Sequence, residues 1–210
     1  MRILVSGATA TVRRLADQYR EYLGVLRTPQ DGNRLCSLPL PWAADNAAFS
    51  NPDDAKFSRL CAESWALDRY HPPLWVAVPD VVGDHAATLR LFGWWCDEWR
   101  SEYACIPFPL AFVLQDGCRP ADVPWDEIVA VFVGGSTRFK LRESEALVTA
   151  AKTHGKLVHV GRVNTLRRLR FAHDIGADTV DGTAFSMFPD TYIERGVKFL
   201  RRLEQSPALF

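Results

Sequence analysis

The amino-acid sequence predicts an α/β protein built as a small (β/α)8 barrel, and three observations carry that reading. Eight short β-rich runs alternate with longer segments of helical periodicity almost to the end of the chain. Most of those runs are nearly continuous in apolar residues, as parallel strands buried on both faces are. The first run is followed by SGATAT, with one glycine, rather than by the G-x-G-x-x-G of a dinucleotide-binding sheet. An open doubly wound sheet is therefore the second choice. With 210 residues, the barrel is expected to form one domain over 1–210, with short loops, no linker and no internal repeat.

In order, the expected strands are residues 3–6 (ILVS), 23–28 (LGVLRT), 42–46 (WAADN), 74–79 (LWVAVP), 110–115 (LAFVLQ), 129–134 (VAVFVG), 157–161 (LVHVG) and 179–182 (TVDG). Between them, 11–22 places Val12, Leu15, Tyr19 and Leu23 at helical spacing. A helix over 53–70 follows Asn51-Pro52, a cap and a proline suited to a first turn. Helices over 84–103, 141–154, 165–175 and 189–203 follow. The link after 110–115 has room for one turn around 125–128, and the link after 23–28 reads as irregular.

Composition excludes several classes. Hydrophobic residues make up 48% and charged residues 24%, which is wrong for disorder. No apolar run approaches the roughly 20 residues needed to cross a bilayer. The N-terminal MRILVSGATATVRR has too short an apolar stretch for a signal peptide, so a cytoplasmic protein is expected. The five cysteines (Cys36, Cys61, Cys96, Cys105, Cys118) are dispersed with no C-x-x-C pair, which fits reduced thiols rather than a disulfide framework or a zinc site. His71, His85, His154 and His173 have no metal-ligand spacing. The absence of G-x-S-x-G, P-loop and H-E-x-x-H motifs disfavours serine hydrolases, P-loop kinases and zinc proteases.

The 25 basic residues balance 25 acidic ones, which rules out a uniformly basic nucleic-acid coat. The balance is a cancellation: residues 134–210 hold 13 basic and 8 acidic side chains, and residues 1–133 hold 12 and 17. Arg138, Lys140, Arg162, Arg167, Arg168 and Arg170 are the strongest charge feature. Such runs are usually solvated helix faces, but Arg162 and Asn164 lie just beyond a strand end.

In a barrel, the C-terminal ends of the strands form the mouth where active sites are built. Those ends carry Asp45-Asn46, Asp80, Gln115-Asp116, Gly134-Gly135-Ser136, His159 with Arg162 and Asn164, and Asp181. Three strands end on an isolated carboxylate after apolar residues (WAAD, VAVPD, DTVD). One such Asp often caps a helix or a turn. Three on one rim point to a site, because like charges clustered without function repel, and burial there raises their pKa. Asp84 reads as a helix cap, Asp116-Gly117 as a turn, and Gln115 as the candidate from its strand. Gly134-Gly135 allows backbone amides close to a phosphate or a planar base, although many strand-to-helix turns use glycine for geometry alone. His159, inside LVHVG, reads as a core histidine rather than a catalytic one.

The ordered series DNAAFS, VAVPDVVGD, FVLQDG, FVGGS, VHVGRVN and GADTVDGTAFS resembles the tRNA-guanine transglycosylase superfamily over residues 3–186. It is most similar to the short, phage-associated branch related to enzymes that insert 7-deazaguanines into DNA. The resemblance implies a (β/α)8 barrel that exchanges a base at a sugar C1′ through a covalent aspartyl intermediate. It implies Asp181 of TVDG as the nucleophile and Asp45 of DNAAF, at the family's D-S-G-G-F motif, as general acid/base. Asp80 would recognise the base, and Gln115, Gly134 and Gly135 match positions that bind the heterocycle. Asn46 stands where the family has serine, and Ala47-Ala48 replace its glycine pair. The C-x-C-x-x-C cluster and zinc subdomain of the tRNA enzymes are missing, so no metal or other cofactor is expected and DNA replaces tRNA as the expected polymer.

The chemistry needs these residue types independently. Cleaving an N-glycosidic bond builds oxocarbenium character that a carboxylate captures, and the departing base needs an acid with a raised pKa. A nucleotide must leave its stack first, and Trp42, Phe49 and Phe185 could receive it. Arg162 joins Asp80, Asn46, Gln115 and the glycines as a candidate substrate contact; Arg138, Lys140, Arg167 and Arg168 are candidate nucleic-acid contacts. The expected partners are DNA and a free 7-deazaguanine-type base. Alternatives are a DNA glycosylase using water in place of the incoming base, a non-catalytic nucleic-acid-binding barrel, and a small-molecule enzyme gripping phosphate at Gly134–Arg138.

Overall fold

A computed structural model describes residues 1–7, 9–30, 40–49, 53–68 and 71–205. The irregular link at 31–39 with Cys36, the Asn51-Pro52 cap and the last two residues of the helix expected over 53–70 lie outside the described residues.

Eight parallel strands close into a barrel in sequence order. They are β1 (Arg2–Val5), β2 (Leu23–Arg27), β3 (Trp42–Ala44), β4 (Val76–Ala77), β5 (Leu110–Leu114), β6 (Ala130–Val133), β7 (Leu157–Val160) and β8 (Thr179–Val180). Pairing of β1 with β8, through Arg2 with Thr179 and Ile3 with Val180, completes the closure. Each strand coincides with one of the expected runs. β4 is shorter than its run at both ends, and Pro79 at the run's C-terminal end has no N–H to extend the ladder. The helices are α1 (Thr9–Tyr19), α2 (Asp54–Asp68), α3 (His85–Tyr103), α4 (Thr137–Arg142), α5 (Ser144–Thr153), α6 (Leu166–Asp174), α7 (Thr183–Met187) and α8 (Pro189–Gln205). Short 3-10 turns at Pro120–Asp122 and Trp125–Glu127 fill the link between β5 and β6.

Two departures from the sequence-based expectation have identifiable causes. The helix expected over 141–154 starts earlier and is broken in two. The Ser136 hydroxyl accepts from Phe139 N and opens α4, while Ser144 Oγ takes the Lys140 carbonyl at 2.5 Å, and Glu143, at φ −120°, separates α4 from α5. The five-residue α7 is too short to carry a periodicity. Its cap comes from another loop: Asn164 Oδ1 accepts from Ala184 N at 3.1 Å and from Thr183 Oγ1 at 3.3 Å.

The two faces of each strand build separate packing layers, as the period-two alternation of strands requires. Ile3, Val5, Leu23, Val25, Trp42, Val76, Leu110, Phe112, Val131, Val158 and Val180 point outward into the shell between barrel and helices. Leu4, Leu26, Ala43, Trp75, Ala77, Ala111, Val113 and Ala130 fill the barrel interior, with Phe132 packed against them. Alanine on four of those strands makes room for the one large indole of Trp75. Among the described residues, no helix is long and apolar enough to cross a membrane.

Candidate active site

Strand phase delivers the polar groups to the mouth. Ala43 faces the barrel interior, so Asp45, two residues on, faces the same way. Ala111 and Val113 face in, so Gln115 follows them; Thr179 faces in, so Asp181 does. A cavity of about 260 Å³ opens there, and Asp45, Asn46, Asp80, Gln115, Gly134, Gly135, Arg162 and Asp181 all line it. Ser6, Thr28, Gln30, Phe49, Phe132 and Thr183 complete most of its wall.

Asp80 is held from both sides. Its Oδ1 accepts from Asn46 Nδ2 at 2.8 Å and its Oδ2 from Gln115 Nε2 at 2.6 Å. The amides are themselves fixed. Asn46 Nδ2 also donates to Val78 O and its Oδ1 accepts from Ala48 N, while Gln115 Oε1 accepts from Gly83 N at 2.8 Å. Asn46 is thus spent on holding Asp80, whereas Gln115 keeps one N–H for a ligand. Burial raises the Asp80 pKa, opposed by these two hydrogen bonds and the Arg162 charge.

Asp45 stands differently. Burial first, then the charge of Asp181, pushes its pKa up to about 7, although the Ala47 N–H at 3.3 Å works the other way. Asp181 receives His159 Nε2 at 3.1 Å and the Arg162 backbone N–H at 3.2 Å, both on Oδ1. One cavity therefore contains a carboxylate held by N–H donors and a second acid that retains its proton to near neutrality. An acid that stays protonated to near neutrality can give its proton to a departing group.

The glycines are required by packing whatever the ligand. A Cβ on Gly134 would lie 2.8 Å from Gln115 Nε2, and one on Gly135, at φ +67°, 2.7 Å from Asp116 Oδ2. Asp116 accepts from both the Ser136 hydroxyl and its backbone N–H; although burial raises it, those bonds hold its pKa below the usual range. Asp84 accepts from Ala87 N and caps α3.

The arginine and lysine candidates separate into two groups. Arg138 and Arg167 are exposed. Arg162 lines the cavity, donates to the Gly135 carbonyl and lies 4.0 Å over the Phe49 ring. Arg168 donates to the Arg162 carbonyl at 3.2 Å. Lys140 is turned inward: Nζ donates to Gly161 O at 2.6 Å, and burial, with Arg162 adding to it, lowers its pKa to about 7. It does not extend the surface basic face that the charge run suggested.

Of the three aromatics expected to receive an extruded base, only Phe49 is available, at 63% exposure. Trp42 is fully buried on the outward face of β3, with its indole N–H on His71 O, and Phe185 is buried under α8. His159, expected in the core, is fully buried there, yet it also touches Asp181. The signal was its inward strand phase next to β8. Among the described residues, no group of three or more His, Cys, Asp or Glu is arranged to hold a metal.

No protein-family profile matches the chain, and no curated protein sequence does.

Proposed function

We propose that the protein breaks the N-glycosidic bond of a nucleobase in DNA and exchanges guanine for a 7-deazaguanine base through a covalent aspartyl–deoxyribosyl intermediate. The observation that carries the reading is the juxtaposition of Asp181, Asp45 and amide-clamped Asp80 in one cavity. Its volume of about 260 Å³ lies just under the roughly 300 Å³ lower bound of drug-sized pockets, which suits one heterocycle and its sugar better than a dinucleotide.

In the first half-reaction an oxygen of Asp181 attacks C1′ and the C1′–N bond breaks. Its electron pair goes to the base, which takes the proton of Asp45. In the second half, Asp45, now a carboxylate, removes the N–H proton of the incoming base. That nitrogen attacks C1′ and releases Asp181. Asp80 and the free N–H of Gln115 face the base edge, where a carboxylate accepts ring and exocyclic N–H donors. Phe49 under Arg162 offers a stacking surface at the mouth, and exposed Arg138 and Arg167 supply phosphate contacts.

A second reading uses the same first half and lets water, activated by Asp45, resolve the ester and leave an abasic site. Ala47 and Ala48, which line the cavity where the resemblance has glycines, favour it by narrowing the space for an incoming base.

The test incubates the protein with DNA of varied base content, with and without labelled 7-deazaguanine. Incorporated label supports exchange, and alkali-labile sites without incorporation support hydrolysis. If no DNA loses or exchanges a base, the enzymatic reading fails.

A further inference from the structure

Asp181 uses only one of its two oxygens within the protein. Oδ1 accepts from His159 Nε2 and from Arg162 N, while Oδ2 has no partner among the described residues. Both donors are themselves held in place.

His159 sits with its ring 4.4 Å from the Phe132 ring and 4.7 Å from Trp75, and its Nδ1 is 2.9 Å from Thr179 Oγ1. A carboxylate offers only acceptors, so Nε2 carries the proton and Nδ1 takes that of the Thr179 hydroxyl. The imidazole therefore has a defined tautomer and cannot turn.

The second donor belongs to the peptide that joins Gly161 to Arg162. Its N–H points at Asp181 Oδ1, and its carbonyl, on the opposite side of the same unit, accepts from Lys140 Nζ at 2.6 Å. A cationic donor on the carbonyl polarises the amide and strengthens its N–H as a donor. Arg162 has φ +63°, a conformation that a side-chain-bearing residue keeps only when its surroundings impose it. Here the surroundings are Lys140 on one peptide, Arg168 on the next carbonyl, and Val163 N bonded to Asp181 O at 2.6 Å. A Cβ on Gly161 would lie 2.6 Å from Phe132 Cε1 and 3.2 Å from Asp181 Oδ1, so the loop can press onto the carboxylate only with glycine there.

We propose that Lys140 and His159 are positioning residues that lock Oδ1 of Asp181 from behind and leave Oδ2 as the oxygen that bonds C1′, a role that rests on the nucleophile assignment above. Without the lock the carboxylate rotates about its Cβ–Cγ bond, and attack geometry is lost while DNA binding is not. Lys140 Nζ can donate in either protonation state, so the contact survives its titration and only the polarising charge changes.

The experiment compares wild type with Lys140→Met, which keeps the stem and removes the donor, Lys140→Arg, which restores a donor, and His159→Phe. Two readouts need no activity. Imidazole nitrogen NMR should find His159 as the Nε2–H tautomer, and Arg162 amide hydrogen exchange should quicken by about tenfold or more in Lys140→Met. In single turnover on DNA, Lys140→Met and His159→Phe should form the adduct about 100-fold more slowly with DNA affinity changed less than about threefold, and Lys140→Arg should recover most of the rate. Because His159→Phe removes a buried hydrogen-bonded group and can lose the fold, the Lys140 pair decides the matter alone if it does.

An Nδ1–H tautomer, an unchanged Arg162 exchange rate, or a Lys140→Met protein that loses DNA affinity at full adduct rate would each overturn the proposal. Absence of any adduct in wild type would instead sink the nucleophile reading and with it attack by Oδ2. The tautomer and exchange readouts would still decide whether Oδ1 is locked.

Discussion

Asp45→Asn should stabilise the protein, and the gain should grow with pH. Asp45 titrates at about 7 in the fold against an ordinary value of 3.8, because burial and the charge of Asp181 both oppose its ionisation. A folded pKa raised above the unfolded one means that the native chain holds a proton the unfolded chain has released. Below 3.8 both states are protonated and nothing is lost; stability then falls as pH rises towards about 7, and stays lower above it. At roughly 1.4 kcal/mol per pKa unit, the penalty above neutrality is ~4 kcal/mol. Asparagine is isosteric, keeps an oxygen for the Ala47 N–H, and carries no charge to desolvate. Urea unfolding of both proteins from about pH 5 to about pH 8.5 should show the variant's advantage rising by ~2–3 kcal/mol across that interval. In an Asp181→Asn background the rise should shrink, because the second cause has been removed. An advantage that is flat or declining with pH would refute the reasoning, since it would mean that Asp45 is already ionised in the fold. The same acid loses its proton above about 7, so base release should fall with rising pH there in wild type and be slow and flat in Asp45→Asn.

Three further outcomes follow from the site. Asp80→Asn turns an amide towards the Asn46 and Gln115 amides that now donate to the carboxylate; free-base binding, measured by equilibrium dialysis, should weaken by about 100-fold. Replacing both Arg138 and Arg167 by Gln should lower the salt-dependence slope of DNA binding by about two, leaving the adduct rate at saturating DNA unchanged. Gly135→Ala places a Cβ 2.7 Å from Asp116 Oδ2 at a positive φ, so it should destabilise by about 1–3 kcal/mol in denaturant titration.

The barrel and its mouth were legible because strand physics is local. A short strand-like run that ends on a polar residue marks the C-terminal edge of a strand, and Asp45, Asp80, Gln115 and Asp181 stand out in the sequence as such strand ends. Strand phase would have excluded Trp42, which lies three residues before the inward Asp45 and so points outward. What the sequence hid depends on contacts between distant residues. α7 is capped by Asn164, 20 residues away, so no local signal marked its start. Lys140 looked like part of a basic surface because it stands beside Arg138 in a run of basic residues; in the structure the Ser136 cap starts α4 at Thr137, and Lys140 reaches the Gly161 carbonyl. His159 satisfied every sign of a core histidine, and its contact with Asp181 crosses to the neighbouring strand. Burial and function are not alternatives at a barrel mouth, where the innermost layer of the site is also the top layer of the core.

The proposed reaction turns on a bond between Asp181 and a deoxyribose C1′. Its most direct test is to denature the protein during turnover on DNA, digest the adduct and locate the modified residue by mass spectrometry. The expected product is a sugar-linked peptide carrying the modification on Asp181, absent from Asp181→Asn. A modification on another residue, or an adduct that persists in Asp181→Asn, would contradict it.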